Sequence, residues 1–378
     1  MKILLLSAPN SSHTIKWATS LAKQGLEIVV FGFTDNLQQS AYANYPNIKV
    51  VTNHQSVSRK GSFAKLHYLK ALPTVRKLIK ELKPDIVHAH YATSYGLLGA
   101  LSGFKPYIIS LWGSDIFIFP KKSFLHKAML KFNLRRACKV LSTSQMMAKE
   151  AGLYTDKPIE VTPFGVDLQA FSPRQTASLF SPNDIVIGTI KALEKPYGIE
   201  YLIQAFKLLN DKQPNLPLKL LIVGSGSLET DLKALVASLL LNDKTVFTGY
   251  APPQDVPLYQ NMLSVYVAVS ISESFGVAVL EASACAKPVV VSNVGGLPEV
   301  VEDEVTGIIV PPKDIQATAA ALERLILDPQ LATKMGNAGR ERVKRLYSWD
   351  NNVNQMIEIY KDLINESCNN LGRSSSIY

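Results

Sequence analysis

The chain has 378 residues, of which 47% are apolar and 19% charged, so it is long enough for two domains and too apolar for a disordered protein. Residues 1–180 carry 23 basic and 9 acidic residues (net +14), and the remainder carries 17 and 22 (net −5). This asymmetry indicates that the first half meets an anionic partner or surface.

Neither a secreted nor a membrane-spanning protein is indicated. The apolar run at residues 3–6 is shorter than the core of a signal peptide, and no run reaches the ~18 apolar residues of a membrane span. Cys138, Cys285 and Cys368 show neither disulfide-framework nor zinc-ligand spacing. We therefore expect a cytoplasmic protein in a reducing compartment.

Short apolar runs alternate with helical patterns along almost the whole chain. The first series of predicted strands covers residues 2–7, 27–33, 48–52, 85–90, 107–113 and 139–144. The second series covers residues 184–190, 218–224, 245–249, 264–271, 288–293 and 307–311. These runs are continuously apolar, which is typical of strands buried on both faces of a parallel sheet. The intervening helical patterns predict an α/β protein built from βαβ units.

A Pro- and Ser-rich segment at 171–184 separates the two series and is the predicted linker. The boundaries that follow are a Rossmann-like domain over 1–172 and a second one over 182–349. Ligands of open parallel sheets bind beyond the carboxyl ends of the strands, so the residues just after each strand are the candidates for a site.

Two glutamates follow the strand predicted at 264–271. Glu273 lies at the strand exit, and Glu281 lies about one and a half turns into a helix that begins near Gly276. A glycine at a helix start lets backbone N–H groups approach a phosphate. A carboxylate can accept hydrogen bonds from two neighbouring sugar hydroxyls.

This segment resembles the E-x7-E signature of retaining GT-B glycosyltransferases of glycosyltransferase family 4 (glycosyl transferases group 1). The similar words around the glutamates are ESFG at 273–276, LEA at 280–282, KPVV at 287–290, GGLPE at 295–299 and TG at 306–307. The resemblance runs from residue 1 to about residue 350. It implies two facing Rossmann-like domains, with a C-terminal helix (about 350–378) that returns to the first, acceptor-binding domain.

The resemblance also implies roles for these residues. Glu273 would contact the sugar or diphosphate of the donor, and Glu281 would bind its ribose hydroxyls. Ser274, Phe275, Gly276 and Val277 would line the donor, the last two through their backbone N–H groups. The alternative is that Glu281 is a solvated helix residue and Glu273 a helix cap.

Lys191 and Lys195 follow the first strand of the second domain. Two cations there could neutralise a leaving diphosphate, although a solvated charged loop is the alternative. The family usually has Arg where Lys191 stands, and the spacing at Lys195 departs from its pattern. Since only Arg is a fixed fork, the individual roles of the two lysines stay open.

Glycines after the next two strands are further donor candidates. Gly224 and Gly226 permit a close backbone approach, but there is no third glycine and no acidic residue at dinucleotide spacing. The segment is thus a poor NAD fingerprint and resembles the family's turn near the base and diphosphate. Gly249 and Tyr250 would similarly flank the base.

In the first half, His88 and His90 share one face of the strand at 85–90, and only His90 is near enough to the carboxyl end to reach a crevice. By the resemblance, His90 lies near the donor sugar and the acceptor, while His88 is interpreted as an interior histidine. Asp115, in a turn similar to the family's HGxD with Trp112 for His, either caps the following segment or touches the acceptor.

The first loop carries Ser11, Ser12 and His13 where many relatives have a glycine pair. These residues either cap the following helix, the favoured interpretation, or bind the acceptor.

Residues 121–139 contain seven Lys/Arg and no acid, with Lys127, Lys131 and Arg135 in an i, i+4 row. Phe124, Leu125, Ala128, Met129 and Phe132 follow helical spacing, and a second basic stretch covers 59–83. The segment is either a packed helix with a solvated face or a helix that contacts anionic lipid, which we favour. Nucleic acid is not expected as a partner, because no recognised motif is present.

Together these features predict a glycosyltransferase that moves a sugar from a UDP- or GDP-sugar to a glycan or lipid-linked acceptor, in cell-surface polysaccharide or glycolipid synthesis. No Asp-x-Asp motif is present, so neither a metal nor another cofactor is expected. The alternatives are a non-catalytic sugar-nucleotide-binding subunit, an epimerase of the same fold and an NAD-dependent oxidoreductase.

Overall fold

The computed structural model describes residues 1–53 and 64–374. Contacts divide the chain into two compact units, one made of residues 1–163 with the C-terminal residues from 352, and one made of residues 164–351. The segment predicted as the linker, 171–184, lies within the second unit, because the division falls between Pro163 and Phe164. Part of the second basic stretch, residues 59–63, lies outside the described residues.

The first unit contains a seven-stranded parallel sheet in the order β3-β2-β1-β4-β5-β6-β7. Its strands are β1 Lys2–Leu6, β2 Glu27–Phe33, β3 Ile48–Asn53, β4 Ile86–His90, β5 Tyr107–Leu111, β6 Lys139–Ser142 and β7 Ile159–Val161. Its helices are α1 Ser12–Lys23, α2 Leu72–Leu82, α3 Ser94–Ser102, α4 Ser114–Phe117, α5 Phe124–Arg136 and α6 Gln145–Ala151.

The continuously apolar runs are buried strands, as predicted. Residues 3–6 of β1 are fully buried, and every residue of β4 and β5 is buried. Helices cover both faces of such a sheet, so no face needs polar residues. The sequence pattern missed β7, which has only three residues, all half-buried, and pairs on one side with β6 at the sheet edge.

The second unit contains a six-stranded parallel sheet in the order β10-β9-β8-β11-β12-β13. Its strands are β8 Ile185–Ile190, β9 Leu218–Val223, β10 Thr245–Gly249, β11 Val265–Ala268, β12 Val289–Ser292 and β13 Gly307–Val310. The helices are α7 Ile199–Lys212, α8 Glu229–Ser238, α9 Val256–Met262, α10 Val277–Ala284, α11 Leu297–Val300, α12 Ile315–Leu327 and α13 Pro329–Leu346, followed by α14 Trp349–Ser374.

Both sheets have a point at which the strand order reverses. It lies between β1 and β4 in the first unit and between β8 and β11 in the second. At such a point the helices on either side diverge and leave a crevice beyond the carboxyl ends of the strands. The residues that follow these four strands therefore lie where a ligand of each unit would bind.

Helix α5 carries the predicted basic face, and only some of the apolar residues at helical spacing on it are buried. Its buried residues are Leu130, Asn133 and Leu134, whereas Phe124 and Leu125 are 82% and 75% exposed. The predicted helical spacing is confirmed, but these two residues do not pack as the packed-helix alternative would require, and the contact with anionic lipid stays a prediction. The two residues are exposed because the first turn of α5 extends past the hydrophobic core that the later turns complete. Among residues 1–53 and 64–374, none of the helices combines the length and apolar character that crossing a bilayer requires.

The side chain of His88 joins the centre of the first sheet to the C-terminal helix. Its Nδ1 lies 2.7 Å from the hydroxyl of Tyr360 on α14, and its Nε2 lies 2.8 Å from Oγ of Ser110 on β5. His88 is fully buried, and burial lowers its pKa from 6.5 to about 3. The prediction that His88 is a hydrogen-bonded interior histidine is confirmed.

Replacing Tyr360 with phenylalanine should destabilise the first unit by about 1–3 kcal/mol, since one nitrogen of the buried His88 loses its partner. The measurement is urea unfolding followed by tryptophan fluorescence. The same replacement at the half-buried Tyr45 is the control and should change the midpoint little. Equal midpoints for the two variants would show that the Tyr360 hydroxyl contributes nothing.

His88 should also make stability depend on pH. Because its pKa is depressed in the folded state, the unfolded chain binds the proton first as pH falls below 6.5. This stability is therefore complete above pH 6.5 and is lost as pH falls towards 3, by at most about 1.4 kcal/mol per pH unit. In the His88→Asn variant the slope of unfolding free energy between pH 6 and pH 4 should be shallower by about that amount. The Tyr360→Phe variant keeps the imidazole and should keep the steeper slope; matching slopes in the wild type and His88→Asn would contradict the assignment.

Candidate active site

The reversal point of the second sheet brings two oppositely charged side chains together. Lys191 follows the last residue of β8, and Glu273 lies in the loop between β11 and α10. Since β8 and β11 are neighbours, residues 82 apart in the chain meet, and Lys191 Nζ lies 2.5 Å from Glu273 Oε2. Both side chains are about nine-tenths buried, with 12% and 11% exposure.

The charge on Lys191 is held by its surroundings. Burial alone would lower its pKa, but attraction to the Glu273 carboxylate and their hydrogen bond more than offset this, so the pKa lies above its ordinary value. Nζ also lies 4.7 Å from the ring centroid of Tyr197, in a cation–π position. The second unit thus holds a permanent ammonium group where the topology places a ligand.

Glycines allow the backbones around this pair to meet. Gly224, with φ of +138°, lies so close to Lys191 that a Cβ would be 1.9 Å from its carbonyl oxygen. Gly295 has a φ of +53°, and a Cβ there would lie 1.7 Å from the carbonyl oxygen of Glu273. The close approach expected of Gly224 towards a nucleotide is therefore first of all an approach to the Lys191 backbone, as that of Gly226 is to Leu193.

The helix start predicted near Gly276 is confirmed, because Gly276 is the N-cap of α10 and Val277 its first residue. No side chain caps this end, so Glu273 is not a helix cap, and that alternative is wrong. One carboxylate oxygen of Glu273 instead accepts from the backbone N–H of Ser274 at 3.2 Å. Glu281 is the fifth residue of α10 and is half-buried.

Phe275 offers only its backbone to a ligand. Its side chain is 3% exposed, and its ring lies 5.9 Å from that of Tyr347 and 6.3 Å from that of Phe164. The ring therefore belongs to the core of the second unit and holds the turn before α10 in place.

Lys195 is not part of the pair. It begins a 3-10 turn, Lys195–Tyr197, and its side chain is exposed. The turn is held against the exit of β11 by the carbonyl of Pro196, which accepts from the N–H groups of Ile271 and Ser272 at 2.8 and 3.1 Å. In the described part of the chain, no salt bridge joins Lys195 to Glu273.

The remaining donor candidates lie at the end of β10. Gly249 has a positive φ of +73°, and its carbonyl accepts from the N–H of Gly224 at 2.8 Å. Tyr250 is 70% exposed, so its ring is available for stacking. The Gly224 and Gly249 turns are thus connected directly, whereas Tyr250 extends into solvent.

A second carboxylate, which was not among the predicted site residues, shapes this edge. Glu194 accepts from the N–H of Ser227 at 2.9 Å and from its hydroxyl at 2.6 Å. These hydrogen bonds hold the pKa of Glu194 below its usual value and tie the loop after β8 to the loop after β9. A glutamate at a strand exit facing an SGS segment is the signal that could have found it.

In the first unit, His90 ends β4 and is 2% exposed. Its Nδ1 lies 3.0 Å from Oγ of Ser7, and its ring lies 4.3 Å from Trp112 and 4.8 Å from His88. The prediction that the two histidines share a face is confirmed. Burial, followed by repulsion from His88 and His13, lowers the pKa of His90 well below 6.5, so its imidazole is neutral at neutral pH.

Asp115 is engaged by backbone groups. Its carboxylate accepts from the N–H groups of Ala92 and Gly113 at 2.8 Å each and of Trp112 at 3.3 Å. It therefore joins the loop after β4 to the turn after β5 and does not cap the segment that follows. Burial raises its pKa despite these hydrogen bonds.

The first loop also differs from simple capping. Ser11 is the N-cap of α1 by position, but its side chain makes no capping hydrogen bond, and Ser12 is exposed. The ring of His13 lies edge-on to Trp112 at 5.7 Å, and burial and Lys16 lower its pKa to about 4. Trp112 thus separates two neutral histidines, His13 and His90.

A cleft of about 300 Å³ lies beyond β1, β4 and β5 of the first unit. Five of its ten described lining residues carry a hydroxyl group, and one is an exposed lysine. It is lined by Ala8, Tyr91, Thr93, Ser94, Tyr95, Ser114, Asp115, Ile118, Phe119 and Lys122. Of the predicted acceptor residues, only Asp115 lines it.

No three His, Cys, Asp or Glu side chains of the described ranges gather into a group that could hold a metal ion. Cys138 and Cys285 are free thiols, and the side chain of Cys368 lies outside the described part of the chain.

Two family models match the chain in succession. Residues 2–144 match "Glycosyl transferase 4-like", and residues 173–342 match "Glycosyl transferases group 1". An uncharacterized glycosyltransferase of Methanocaldococcus jannaschii is 26% identical over 92% of this chain and 93% of its own length. The N-acetyl-alpha-D-glucosaminyl L-malate synthase of Bacillus anthracis is 27% identical over 92% of both chains.

Solved structures show the same fold. Sucrose-phosphate synthase from Thermosynechococcus elongatus superposes with a TM-score of 0.83 at 22% identity, over 97% of this chain and 100% of that one. Anabaena HepE, in complex with UDP-glucose, superposes with a TM-score of 0.76 at 21% identity, over 96% and 100%. The chain is therefore a transferase that belongs to the GT-B glycosyltransferases of the glycosyltransferase family 4 (glycosyl transferases group 1) type.

Proposed function

We propose that this enzyme transfers a sugar from a nucleotide-diphosphate sugar, UDP- or GDP-linked, to an acceptor hydroxyl with retention of configuration. The observation that carries the proposal is the buried Lys191–Glu273 pair at the reversal point of the second sheet. The similarity to HepE, which was solved with UDP-glucose, supports a nucleotide sugar as the donor. No metal or further cofactor enters the proposal.

The pair suits a donor diphosphate because the diphosphate would compete with Glu273 for the same ammonium group. Lys191 is a compact point charge and can turn from a carboxylate to a phosphate oxygen without a change of protonation. As the bond to the sugar breaks, negative charge grows on the diphosphate, and a fixed cation stabilises that charge most. The uncapped backbone N–H groups at Gly276 and Val277 would add to this.

Release from Lys191 would free Glu273 for the sugar. Its carboxylate keeps one N–H donor from Ser274 and could accept from a sugar hydroxyl with its other oxygen. Glu281, half-buried on α10, would accept from the ribose hydroxyls. In the first unit, the neutral His90 would act as a hydrogen-bonding partner rather than a cation.

We further propose a glycan or lipid-linked acceptor bound by the first unit, in the synthesis of cell-surface polysaccharide or glycolipid. The cleft beyond β4, which hydroxyl-bearing residues line together with apolar ones, supports an acceptor with both hydroxyl groups and apolar ring faces. The cationic face of residues 121–139 supports a position at the cytoplasmic, inner surface of a membrane, where lipid-linked intermediates are accessible.

A thermal-shift screen against UDP-, GDP-, ADP- and dTDP-sugars and NAD(H) tests the donor. A ligand at 100 times its dissociation constant should add ~2.7 kcal/mol to the stability of the protein. We expect one class of nucleotide sugar to raise the melting temperature and the Glu281→Ala variant to lose this shift. Glu341→Ala, which removes an exposed carboxylate on α13, should keep it. A shift with NAD(H) alone would exclude the proposed donor.

Turnover of Lys191 variants tests the leaving-group role. Lys191→Met should lower kcat by about 100- to 1000-fold, since it removes the cation that faces the developing charge. It should also lower the melting temperature, because the buried Glu273 loses its partner. Adding Glu273→Gln should recover the stability but not the turnover. Lys195→Ala is the control for an exposed cation of the same loop and should reduce kcat far less. Equal losses for Lys191→Met and Lys195→Ala would contradict the role of the pair.

A further inference from the structure

A large groove lies between α5 and the segment 154–158 of the first unit. Its volume is about 980 Å³. We call it the α5 groove. Its α5 wall consists of residues spaced three or four apart, which are Phe124, Lys127, Ala128, Lys131, Phe132 and Arg135. The Lys191–Glu273 pair belongs to the other unit, so this groove is a separate feature of the chain.

The α5 wall is cationic and unneutralised. Lys127, Lys131 and Arg135 are all exposed, and within the described ranges no carboxylate lies in salt-bridge distance of any of them. Like charges four residues apart on a helix repel each other, so their arrangement is unfavourable for the isolated helix. Such a row is stabilised when an anion with several charges lies along it.

The opposite wall leaves this charge in place. Of the described residues that line the groove, Asp156 alone is acidic. Nζ of Lys157 donates to the backbone carbonyls of Arg135 and Ala137, which fixes this cation beside the end of the row. Lys127 lies 5.9 Å from the ring centroid of Tyr154. The groove therefore offers four cations against one carboxylate.

The first turn of α5 adds an apolar pair in solvent. Phe124 and Leu125 are 82% and 75% exposed, and Ile118, six residues earlier than Phe124, is 56% exposed. Lys121, which is paired with Glu150, and Lys122 precede the apolar pair in sequence and are exposed too. Large apolar side chains next to cations are the composition of a helix that lies at a membrane interface. A soluble phosphate or a nucleic acid would neutralise the cations but leave this apolar pair in water.

We propose that the α5 groove and the Phe124–Leu125 pair form a docking face for anionic phospholipid. The headgroup phosphates accept hydrogen bonds from Lys127, Lys131 and Arg135, and Phe124 and Leu125 enter the boundary of the acyl chains. The inference rests on the proposed membrane location but not on the donor chemistry.

Co-sedimentation of the full chain with vesicles tests the docking face. Vesicles of phosphatidylcholine alone are compared with vesicles that also contain phosphatidylglycerol. We expect binding to the anionic vesicles, weakened by salt, and none to the neutral ones. Since each cation contributes about 1 kcal/mol near an anionic surface, neutralising three of them should weaken binding roughly 100-fold.

The charge variant is Lys127→Gln/Lys131→Gln/Arg135→Gln. Its control removes the same net charge from the second unit, as Lys207→Gln/Lys233→Gln/Lys344→Gln, and should bind the anionic vesicles nearly as the wild type does. The apolar variant Phe124→Ser/Leu125→Ser should bind them more weakly while keeping the salt dependence. Melting temperatures and the nucleotide-sugar shift are recorded for every variant. An unchanged shift with lost vesicle binding supports the docking face whatever the donor is.

Four results would overturn the proposal. One is equal binding to neutral vesicles, and another is equal loss in the charge variant and its control. A third is displacement from the vesicles by inorganic phosphate at constant ionic strength, which would indicate a soluble phosphate ligand. The fourth is binding to an oligonucleotide more tightly than to vesicles and unchanged in the apolar variant.

Discussion

The ion pair of Lys191 and Glu273 is the interaction on which the candidate site depends. Removing two charges from water is costly, and a buried pair often contributes little net stability. Here the pair brings together the ends of β8 and β11, and glycines at 224 and 295 let neighbouring loops approach both backbones. A structure that served stability alone could use apolar residues instead. A charged pair has the additional property that either member can exchange its partner for a ligand.

The two units share one sheet topology but place groups of different charge at the strand reversal. In the second unit the strand reversal holds a permanent cation, because the Glu273 carboxylate raises the pKa of Lys191 against the effect of burial. In the first unit it holds two imidazoles that burial keeps neutral, His88 and His90, of which His90 lies against Trp112. The cation of the second unit favours the departure of an anion, and the neutral imidazoles of the first unit favour the orientation of uncharged hydroxyl groups. This division suits the transfer that we propose, in which a diphosphate leaves and an alcohol attacks.

Much of the fold could be predicted because buried parallel strands are continuously apolar, and this pattern survives without knowledge of tertiary contacts. The three-residue β7 could not be predicted, since Ile159–Val161 is too short to form a pattern. For the candidate site, position at or after the end of a strand, together with the resemblance to the family, singled out Lys191, Glu273 and His90. The contacts between these residues could not be predicted from the sequence, because the contact of Lys191 with Glu273 depends on which strands are neighbours.

The hydrogen-bond partners and the exposure of individual side chains could not be predicted from the sequence either. Asp115 looks like a cap or an acceptor ligand by its position, yet three backbone N–H groups occupy its carboxylate. Lys195 resembles Lys191 in the sequence, but Lys195 is exposed and Lys191 is nearly buried. Helical spacing placed Phe124 and Phe132 on one stripe, but it could not tell that Phe124 is exposed while Phe132 packs against the core. In each case the residue type indicated what the side chain can do, and its surroundings in the fold determined which contacts it makes.

The charge asymmetry of the chain becomes more specific once pairing is considered. In the second unit, surface cations such as Lys207, Lys233 and Lys344 each lie within 2.7 Å of a carboxylate on the same helix. Such pairs cancel at a distance, and salt screens what remains. Among the described residues, Lys127, Lys131 and Arg135 on α5 have no such partners, so their fields add along the helix. An approaching anionic surface is therefore attracted to one face of the first unit, while Lys191 of the second unit is buried beside Glu273 and acts only on a ligand that has already entered the site.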